Sequence, residues 1–258
     1  MKDQYFGDVN DFRKYGLLRC LTEGNRVSAS VCWALTPSDG RSDGSKTEYL
    51  GNPGGWRSFD PELFTFLKRQ VLERVDRRVS AIEASKLLPS CLFFAQEIPS
   101  DELARDRYFE KLRKVAADTH LVFFDPDNGL GVKSAPRGGP NSRKYVYPSE
   151  LAPVFEGGQS ILLYQHFPRR PRVEFTEALA RSLCTLLGAN RAVGFTTAHV
   201  LFLLIPQGEH WPALLEGTRR VERRWRGQIG VSLLCAPEFS HATPLESFDS
   251  RASAPAAS

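Results

Sequence analysis

The sequence predicts an α/β protein, with one three-layer domain, a mostly parallel central sheet and an antiparallel hairpin near the carboxyl terminus. The first indication is a set of short, continuous apolar runs that end in turn residues, as in residues 121–131 (LVFFDPDNGLG). Such runs are typical of strands that are buried on both faces of a parallel sheet. Amphipathic helical patterns separate these runs, which is the second indication. The third is a pair of apolar runs at 191–197 and 199–206, close enough to form a hairpin.

The composition fits a single globular domain. The chain has 258 residues, of which 41% are hydrophobic and 25% are charged, and these values are ordinary for a soluble globular protein. Because we find no internal repeat and no linker, we expect one domain over residues 1–240. Residues 241–258 belong to a stretch rich in Ser, Ala and Pro and are expected to form a disordered tail.

Cysteine content and hydropathy predict a soluble cytoplasmic protein. The five cysteines are scattered and form no Cys-x-x-Cys pair, so we expect reduced thiols and no zinc site. The amino terminus lacks the apolar core of a signal peptide, and no apolar run approaches the roughly 20 residues that span a bilayer. The net charge of +4 permits nucleic acid as a partner without requiring it. The oligomeric state stays open.

The first predicted element is a helix over residues 8–21, with Asp8 or Asn10 as its N-cap. Its apolar face is formed by Phe12, Tyr15, Leu18 and Leu21. The cationic side chains of Arg13, Lys14 and Arg19 lie elsewhere around the helix, and the simplest interpretation is a solvated face. The alternative is that Lys14 and Tyr15 contact a phosphate or a base.

Residues 27–35 predict the first core strand, because they are apolar, aromatic and β-branched. Two Asp-Gly steps follow, Asp39-Gly40 and Asp43-Gly44, and they predict a loop. Backbone amides freed by glycine can bind an anion or a nucleotide, so Asp39 and Gly40 are candidate cofactor-binding residues. A flexible surface loop is the alternative.

A further helix is predicted to begin at Pro61, with Asp60 as its N-cap and an apolar stripe that continues to Val75. The remaining predicted elements are helices at 81–87, 100–118, 149–155, 173–187 and 211–225 and strands at 91–94, 160–166 and 230–235.

The apolar run 121–124 leads directly into Asp125-Pro126-Asp127-Asn128-Gly129. Asp125 is therefore expected at the carboxyl end of a buried strand. Ligands of open α/β sheets bind at this end of the strands, which makes Asp125, Asp127 and Asn128 candidate catalytic residues. The alternative is a tight loop in which these side chains only cap backbone amides.

The loop over residues 133–145 is basic and rich in glycine. Lys133 and Lys144 are candidate substrate-binding residues, because such a segment has the chemistry to follow a phosphate backbone. A mobile surface loop is the equal alternative.

The strand predicted at 160–166 also ends in polar residues, Gln165 and His166, with Arg169 shortly after them. Histidine titrates near neutrality, so His166 is a candidate catalytic acid, base or ligand, with a purely structural role as the alternative. Its strand is expected to neighbour the strand that ends at Asp125. Gln165 and Arg169 are candidate substrate-binding residues.

Three segments resemble the Rossmann-like methyltransferases that modify exocyclic amines of nucleic-acid bases. The likeness is to the large-subunit ribosomal RNA adenine methyltransferase family and the related three-Cys-motif partner proteins. Residues 7–15 (GDVNDFRKY) are similar to that family's Asn-His-Ala-Asp-Val-Leu-Lys-His helix, and Lys14 matches its lysine. Residues 123–128 (FFDPDN) are similar to its Asp-Pro-Pro-Tyr motif. Residues 163–168 (LYQHFP) fall where the family has a strand that ends in Trp-Tyr-Pro.

This resemblance implies a Rossmann-like fold, S-adenosylmethionine as methyl donor and a nucleic-acid base as substrate. It implies that Asp125, with Asn128, accepts a hydrogen bond from the target amine, and that Asp39 and Gly40 lie beside the donor. Lys14 and Tyr15 are the other candidate cofactor-binding residues. Residues 5–19 and 125–130 also resemble the signatures of a bacterial protein family that has no assigned function.

Two other functions stay open from the residues alone. One is a metal-dependent nuclease that binds Mg²⁺ and uses Lys133 or His166 on the phosphate. Its expected metal ligands are Asp125 and Asp127, joined by Asp39, Asp43 or Asp60. The other is a non-catalytic Rossmann-like module that binds a nucleotide or a partner protein, in which the residues after the strand serve only the turn.

Overall fold

A computed structural model describes residues 1–38 and 44–235 of the chain. The expected ligand loop residues Asp39, Gly40 and Asp43 and the expected tail 241–258 lie outside the described residues.

Seven strands form the central sheet: β1 (Ala29–Cys32), β2 (Cys91–Phe94), β3 (Leu121–Phe124), β6 (Ser160–His166), β7 (Arg191–Thr196), β8 (Val200–Ile205) and β9 (Gly230–Cys235). Two short strands, β4 (Gly129–Leu130) and β5 (Tyr145–Val146), pair separately. The order in the main sheet is β2-β1-β3-β6-β8-β7-β9.

The helices are α1 (Val9–Thr22), α2 (Pro53–Trp56), α3 (Pro61–Lys68), α4 (Ser80–Ala84), α5 (Glu102–Ala116), α6 (Pro148–Glu156), α7 (Arg172–Leu187) and α8 (Trp211–Arg224). Local sequence accounts for their starts. Asp8 caps α1 by accepting from the amides of Asn10 and Asp11, and Asp60 caps α3 with Pro61 in its first turn.

The strand directions confirm the predicted α/β class. The four strands β2, β1, β3 and β6 are parallel neighbours, and β8 then pairs antiparallel with β6. The pairing of β7 with β8 is the predicted hairpin, so β7 again runs in the direction of β6. Helices cover both faces, which makes a three-layer, Rossmann-like architecture.

The core has two halves, one on each face of the sheet. Successive strand residues alternate between them, so Phe123 packs with α1, α3 and α8, whereas Phe124 packs with α5, α6 and α7. All four residues of β3 are buried, as expected for a strand covered on both sides. This burial leaves the carboxyl edge of the sheet as the place where polar residues can follow.

One expectation about the helices is wrong. The apolar stripe after Asp60 does not reach Val75, because the helix passes into a wider turn at Arg69–Glu73 and Val75 takes a left-handed conformation with 78% of its surface exposed. The basic segment 133–145 connects the short strands β4 and β5, which pair with each other. The fully buried Arg105 also fixes this segment, because it donates to the carbonyl groups of Ser142 and Tyr145.

Candidate functional site

The carboxyl ends of β1, β3 and β6 bring the predicted polar residues to one edge of the sheet. In the register of the three strands, Cys32 lies beside Phe124 and Phe124 beside Leu163. The chain therefore leaves β3 at Asp125 at the level where β6 reaches Tyr164. The expectation that the strand of His166 neighbours the strand of Asp125 is confirmed.

Lys14 crosses from α1 to this edge and is almost completely buried there. Its Nζ lies 2.7 Å from Asp125 Oδ2 and 2.7 Å from Asp11 Oδ1. Burial by itself lowers the pKa of Lys14, but the two carboxylates more than compensate and raise it, so the ammonium group stays charged. The rings of Trp33 and Tyr164 lie 5.8 and 5.5 Å from the same nitrogen, which adds cation–π attraction.

Asp125 is the inner partner of this ion pair. Burial raises its pKa, whereas Lys14 and the amino group of Met1 oppose the rise. Because an ammonium group lies 2.7 Å away, we treat the pair as ionic at neutral pH. Asp125 therefore anchors Lys14, and its Oδ2 is occupied by this ion pair.

Asp127 is held by the segment that follows β1 and by the amino-terminal residue. Its Oδ2 accepts a hydrogen bond of 2.8 Å from the hydroxyl of Thr36, and its Oδ1 lies 2.9 Å from the amino group of Met1. That amino group also donates to the carbonyl oxygens of Ala34 (3.2 Å) and Asp125 (3.1 Å). Met1 thus lies between the ends of β1 and β3.

Asp8 contributes a further carboxylate from the first turn of α1. Its Oδ1 accepts hydrogen bonds from the amides of Asn10 (2.7 Å) and Asp11 (2.9 Å). Burial, followed by the nearby charge of Asp11, raises the pKa of Asp8 to about 7. A carboxylic acid that titrates near neutrality is able to exchange a proton at physiological pH.

These groups surround a cleft of about 360 Å³, which we call the polar cleft. It is lined by Met1, Tyr5, Asp8, Asn10, Asp11, Lys14, Gly44, Lys46, Asp125, Pro126, Asp127, Asn128, Tyr164 and His166. Carboxylates and ammonium groups dominate its inner part, whereas Lys46 lies exposed at its mouth.

A second cavity of about 170 Å³, which we call the apolar cavity, opens beside the polar cleft. It is lined by Asn128, Leu130, Gly131, Val132, Tyr145, Gln165, His166, Phe167, Pro168, Arg170, Phe175 and Leu179. Three aromatic rings, those of Tyr145, Phe167 and Phe175, give it the surface that a flat ring requires. Asn128 and His166 line both spaces and so form their shared wall.

The shared wall is fixed through the main chain of Asn128 and His166. The amide of Asn128 donates to Lys144, and its carbonyl accepts from the amide of His166 at 3.0 Å. Within residues 1–38 and 44–235 no hydrogen bond to the side-chain amide of Asn128 is recorded. Desolvation lowers the pKa of His166, which Asp127 opposes, so the ring is neutral at physiological pH. Its Nε2 lies 3.2 Å from the hydroxyl of Tyr164.

Among the other predicted site residues, one lines the apolar cavity, one is fully buried and three line neither cavity. Gln165 lines the apolar cavity, but its Oε1 accepts from the amide of Leu130 and so ties β4 to β6. Tyr15 is fully buried, and its hydroxyl donates to Asp11. The linings of the two cavities do not include Lys133, Lys144 or Arg169.

The interpretation of the cations on α1 as a solvated face is wrong. Lys14 is buried in the ion pair, and Arg13 keeps only 9% of its surface exposed over the ring of Trp56. Arg19 pairs with Asp60 at 2.7 Å. Asp60 is therefore occupied as the cap of α3 and in this ion pair, and it is not among the residues that line the polar cleft.

Sequence reasoning missed Asp8 and Asp11 as members of the site. A signal for them exists, since Asp8, Asp11 and Lys14 follow each other at intervals of three residues and so lie on one side of a helix. No comparable signal marks Phe175 or Tyr145, because apolar residues on a helix and in a loop are ordinary.

In the part of the chain that the structure describes, no group of three or more His, Cys, Asp or Glu side chains has the arrangement to hold a metal ion. None of the helices there combines the length and the apolar composition that crossing a membrane requires.

Comparison of the chain with protein-family models, with curated proteins and with solved structures finds no match. The site must therefore be interpreted from its own chemistry.

Proposed function

We propose that the protein is a methyltransferase-like enzyme that transfers a methyl group from S-adenosylmethionine to an amine of a nucleic-acid base. The observation that carries this proposal is the wall formed by Asn128 and His166, which separates an apolar, aromatic cavity from a polar, charged cleft. An enzyme that transfers a group between two substrates needs two adjoining binding sites, so that the reacting atoms of the two substrates meet. The enzyme's task is then mainly to position the reacting groups.

The apolar cavity supports the base as one substrate. The rings of Tyr145, Phe167 and Phe175 line it, and stacking of a base on an aromatic side chain contributes about 1–3 kcal/mol. A base enters such a cavity only when it has left its own stack. The basic residues around this edge, among them Arg170 and Arg172 beside Phe167, are suited to the phosphates that follow the base.

The polar cleft supports the donor. When bound, S-adenosylmethionine supplies an electrophilic methyl group on a positively charged sulfur, and the carboxylates of Asp8 and Asp127 suit that charge. The buried Oδ1 of Asn10, which also lines the cleft, has no hydrogen-bond donor among the described residues. The inner surface of the cleft is thus rich in acceptors and suited to a cationic ligand.

The wall residues then have distinct roles. We assign to the side-chain oxygen of Asn128, which lines both spaces, the role of accepting a hydrogen bond from the target amine and so orienting its lone pair. His166, which is neutral at physiological pH, is a suitable acceptor for the proton that the amine loses. The resemblance gives the accepting role to Asp125 as well, but its Oδ2 is engaged by Lys14 at 2.7 Å, so we assign that carboxylate to positioning Lys14.

The architecture gives further support. The mostly parallel sheet, with the antiparallel hairpin of β7 and β8 at one side, agrees with the Rossmann-like fold that the resemblance implies. The Asp-Pro step follows a central strand of the sheet, as the Asp-Pro-Pro-Tyr resemblance also implies. Within the described residues no observation favours the metal-dependent nuclease.

The test is isothermal titration calorimetry with S-adenosylmethionine, followed by transfer of its labelled methyl group to RNA and to DNA, with mass spectrometry of the nucleosides. We expect micromolar binding of the donor and a methylated base in one of the two nucleic acids. Asn128→Ala and His166→Ala should lose transfer, whereas Lys133→Ala, which changes a residue outside both cavities, should keep it. Absence of donor binding by the folded protein would overturn the proposal.

A further inference from the structure

The polar cleft carries an imbalance of charge. Among its described lining residues are four carboxylates, those of Asp8, Asp11, Asp125 and Asp127, all buried. The buried cations are the Nζ of Lys14 and the amino group of Met1. The inner part of the cleft therefore has two more carboxylates than ammonium groups, and His166 adds no positive charge while its ring is neutral.

The polar cleft binds both of its own ammonium groups in the same manner. Each of the two is surrounded by oxygen acceptors, carboxylates for Lys14 and a carboxylate with two carbonyl groups for the amine of Met1. In addition, the buried Oδ1 of Asn10 is an acceptor for which the described residues offer no donor. The cleft thus has both excess negative charge and an unused acceptor.

Among the described residues, Asp8 is the one carboxylate of the cleft that forms no ion pair, although the charges of Lys14 and Arg13 act on it from further away. Asp11 and Asp125 pair with Lys14, and Asp127 pairs with the amine of Met1. For Asp8 the structure records only main-chain donors, the amides of Asn10 and Asp11, and both bond to the same oxygen, Oδ1. In the described ranges its Oδ2 has no recorded partner, although the residue is more than nine-tenths buried and lines the cleft.

We propose that the polar cleft binds the positively charged group of a small organic ligand, a sulfonium or an ammonium group, and that Asp8 is the carboxylate that pairs with this group. For the sulfonium, the inference rests on the proposed function, since the methyl donor carries that charge. It goes further in assigning the pairing to Asp8 and in making charge the feature by which the cleft separates the donor from its neutral thioether product.

The pairing has a definite dependence on pH. Burial and the charge of Asp11 raise the pKa of Asp8 to about 7. The buried cations whose charges act on Asp8 are Lys14 and Arg13. Asp125 and Asp127 are the other carboxylates of the cleft, and His166 and Lys46 also line it. A cation beside Asp8 favours its ionised form, so binding of the cation below this pH releases a proton. Affinity for a cation should therefore rise as the pH rises through about 7, whereas affinity for a neutral analogue should change little.

The experiment compares S-adenosylmethionine with S-adenosylhomocysteine by isothermal titration calorimetry at about pH 8 and about pH 6, with the unchanged chain and with Asp8→Asn. Asparagine is as good an N-cap as aspartate, so this variant keeps the start of α1 and removes only the charge. Asp101→Asn is the matched control, because Asp101 caps α5 through the amide of Ala104 and is exposed.

We expect the sulfonium to bind about tenfold more tightly than the thioether at the higher pH. The ratio should fall severalfold at the lower pH and in Asp8→Asn, and it should be unchanged in Asp101→Asn. Both compounds carry the same α-ammonium group, so their affinity ratio reports on the sulfonium alone. Equal affinities at the higher pH, or an unchanged ratio in Asp8→Asn, would reject the pairing of Asp8 with the sulfonium. Affinities of both compounds that Asp8→Asn leaves unchanged would overturn the inference.

A second pair of probes separates this inference from the proposed function. If neither adenosyl compound binds, the proposed function fails, and the charge preference is decided with putrescine, a diamine, and butanediol, its neutral analogue. Binding of putrescine alone, weakened in Asp8→Asn, would uphold an ammonium site without methyl transfer. No binding of putrescine, or binding that Asp8→Asn leaves unchanged, would reject the site.

Discussion

The ammonium group of Lys14 lies 2.7 Å from the carboxylate of Asp125, although the two residues are 111 positions apart in the chain. Both side chains keep no more than 3% of their surface exposed. Charges so deeply buried are tolerated only when they are paired. The pair joins α1 to the end of β3, so the attachment of the first helix and the geometry of the site depend on the same contact.

Lys14→Met should therefore destabilise the protein strongly. The substitution keeps most of the volume of the side chain but leaves Asp11 and Asp125 facing each other without a cation. Removing one partner of a buried ion pair costs about 3–5 kcal/mol. The free energy of unfolding, measured by urea denaturation with circular dichroism, should fall by that amount.

The matched control is Lys114→Met. Lys114 forms an ion pair of 2.7 Å with Glu110, but both side chains are largely exposed, and such a pair contributes about 0.3–0.5 kcal/mol. Addition of Asp125→Asn to Lys14→Met should restore part of the loss, since it removes one of the unpaired charges. If Lys14→Met costs no more than Lys114→Met, the buried pair is not what holds α1.

Much of the fold was predictable because its signals are local. The strand predicted at 91–94 agrees with β2, and the apolar run 121–124 agrees with β3. The N-cap of α3 at Asp60 follows from the Asp-Pro step. Strand order was less accessible, because it depends on which distant segments pair, and the sequence carries no local sign that β8 lies next to β6.

The site was predictable only where it follows a strand. Asp125, Asp127, Asn128 and His166 all line the polar cleft, as their places after β3 and at the end of β6 suggested. The role of Lys14 was not predictable, because a lysine on a helix is usually solvated and its burial here requires Asp125 from elsewhere in the chain. The apolar cavity likewise forms only when distant segments, such as those of Tyr145 and Phe175, meet.

Asp8→Asn should make the stability of the protein less dependent on pH. The pKa of Asp8 rises from 3.8 to about 7 on folding, so between these values the folded state binds more protons than the unfolded state. Stability must then decrease as the pH rises from about 4 to about 7. Asparagine carries no charge and keeps the cap, so the variant should be more stable than the unchanged chain near pH 8, by about 1–2 kcal/mol.

The measurement is urea denaturation at several pH values, with Asp101→Asn beside it. Near pH 4, where Asp8 is protonated in the folded state, the advantage of Asp8→Asn should vanish. A variant that is less stable than the unchanged chain at every pH would show that Asp8 acts as an ordinary charged cap.

Arg105→Met should release the segment between β4 and β5. Arg105 is fully buried, donates to both carboxylate oxygens of Glu150 at 2.7 and 2.8 Å, and also holds the carbonyl groups of Ser142 and Tyr145. Its loss leaves Glu150 charged and without its main partner, which costs about 3–5 kcal/mol. In the unchanged chain, Arg105 fixes the basic segment between β4 and β5. Without Arg105 this segment should move more freely, so trypsin should cut near Lys133 and Lys144 faster than in the unchanged chain. Arg107→Met, at an exposed position of the same helix, should leave both the cleavage rate and the stability unchanged.

Gly217→Ala distinguishes helix propensity from packing at the contact between α1 and α8. Alanine is favoured over glycine inside a helix by about 0.5–1 kcal/mol, so propensity alone predicts a more stable protein. A Cβ at Gly217, however, would lie 2.8 Å from the Cα of Leu21 and 3.1 Å from the carbonyl oxygen of Cys20. These are main-chain atoms, which cannot move away by changing rotamer, so the helices must separate at a cost of about 1–3 kcal/mol.

We expect Gly217→Ala to lower the midpoint of thermal unfolding, by about 2–4 °C for each kcal/mol. Gly208→Ala, where no atom lies within 4 Å of the added carbon, should change it little. A midpoint raised by Gly217→Ala would mean that the two helices do not approach as closely as described.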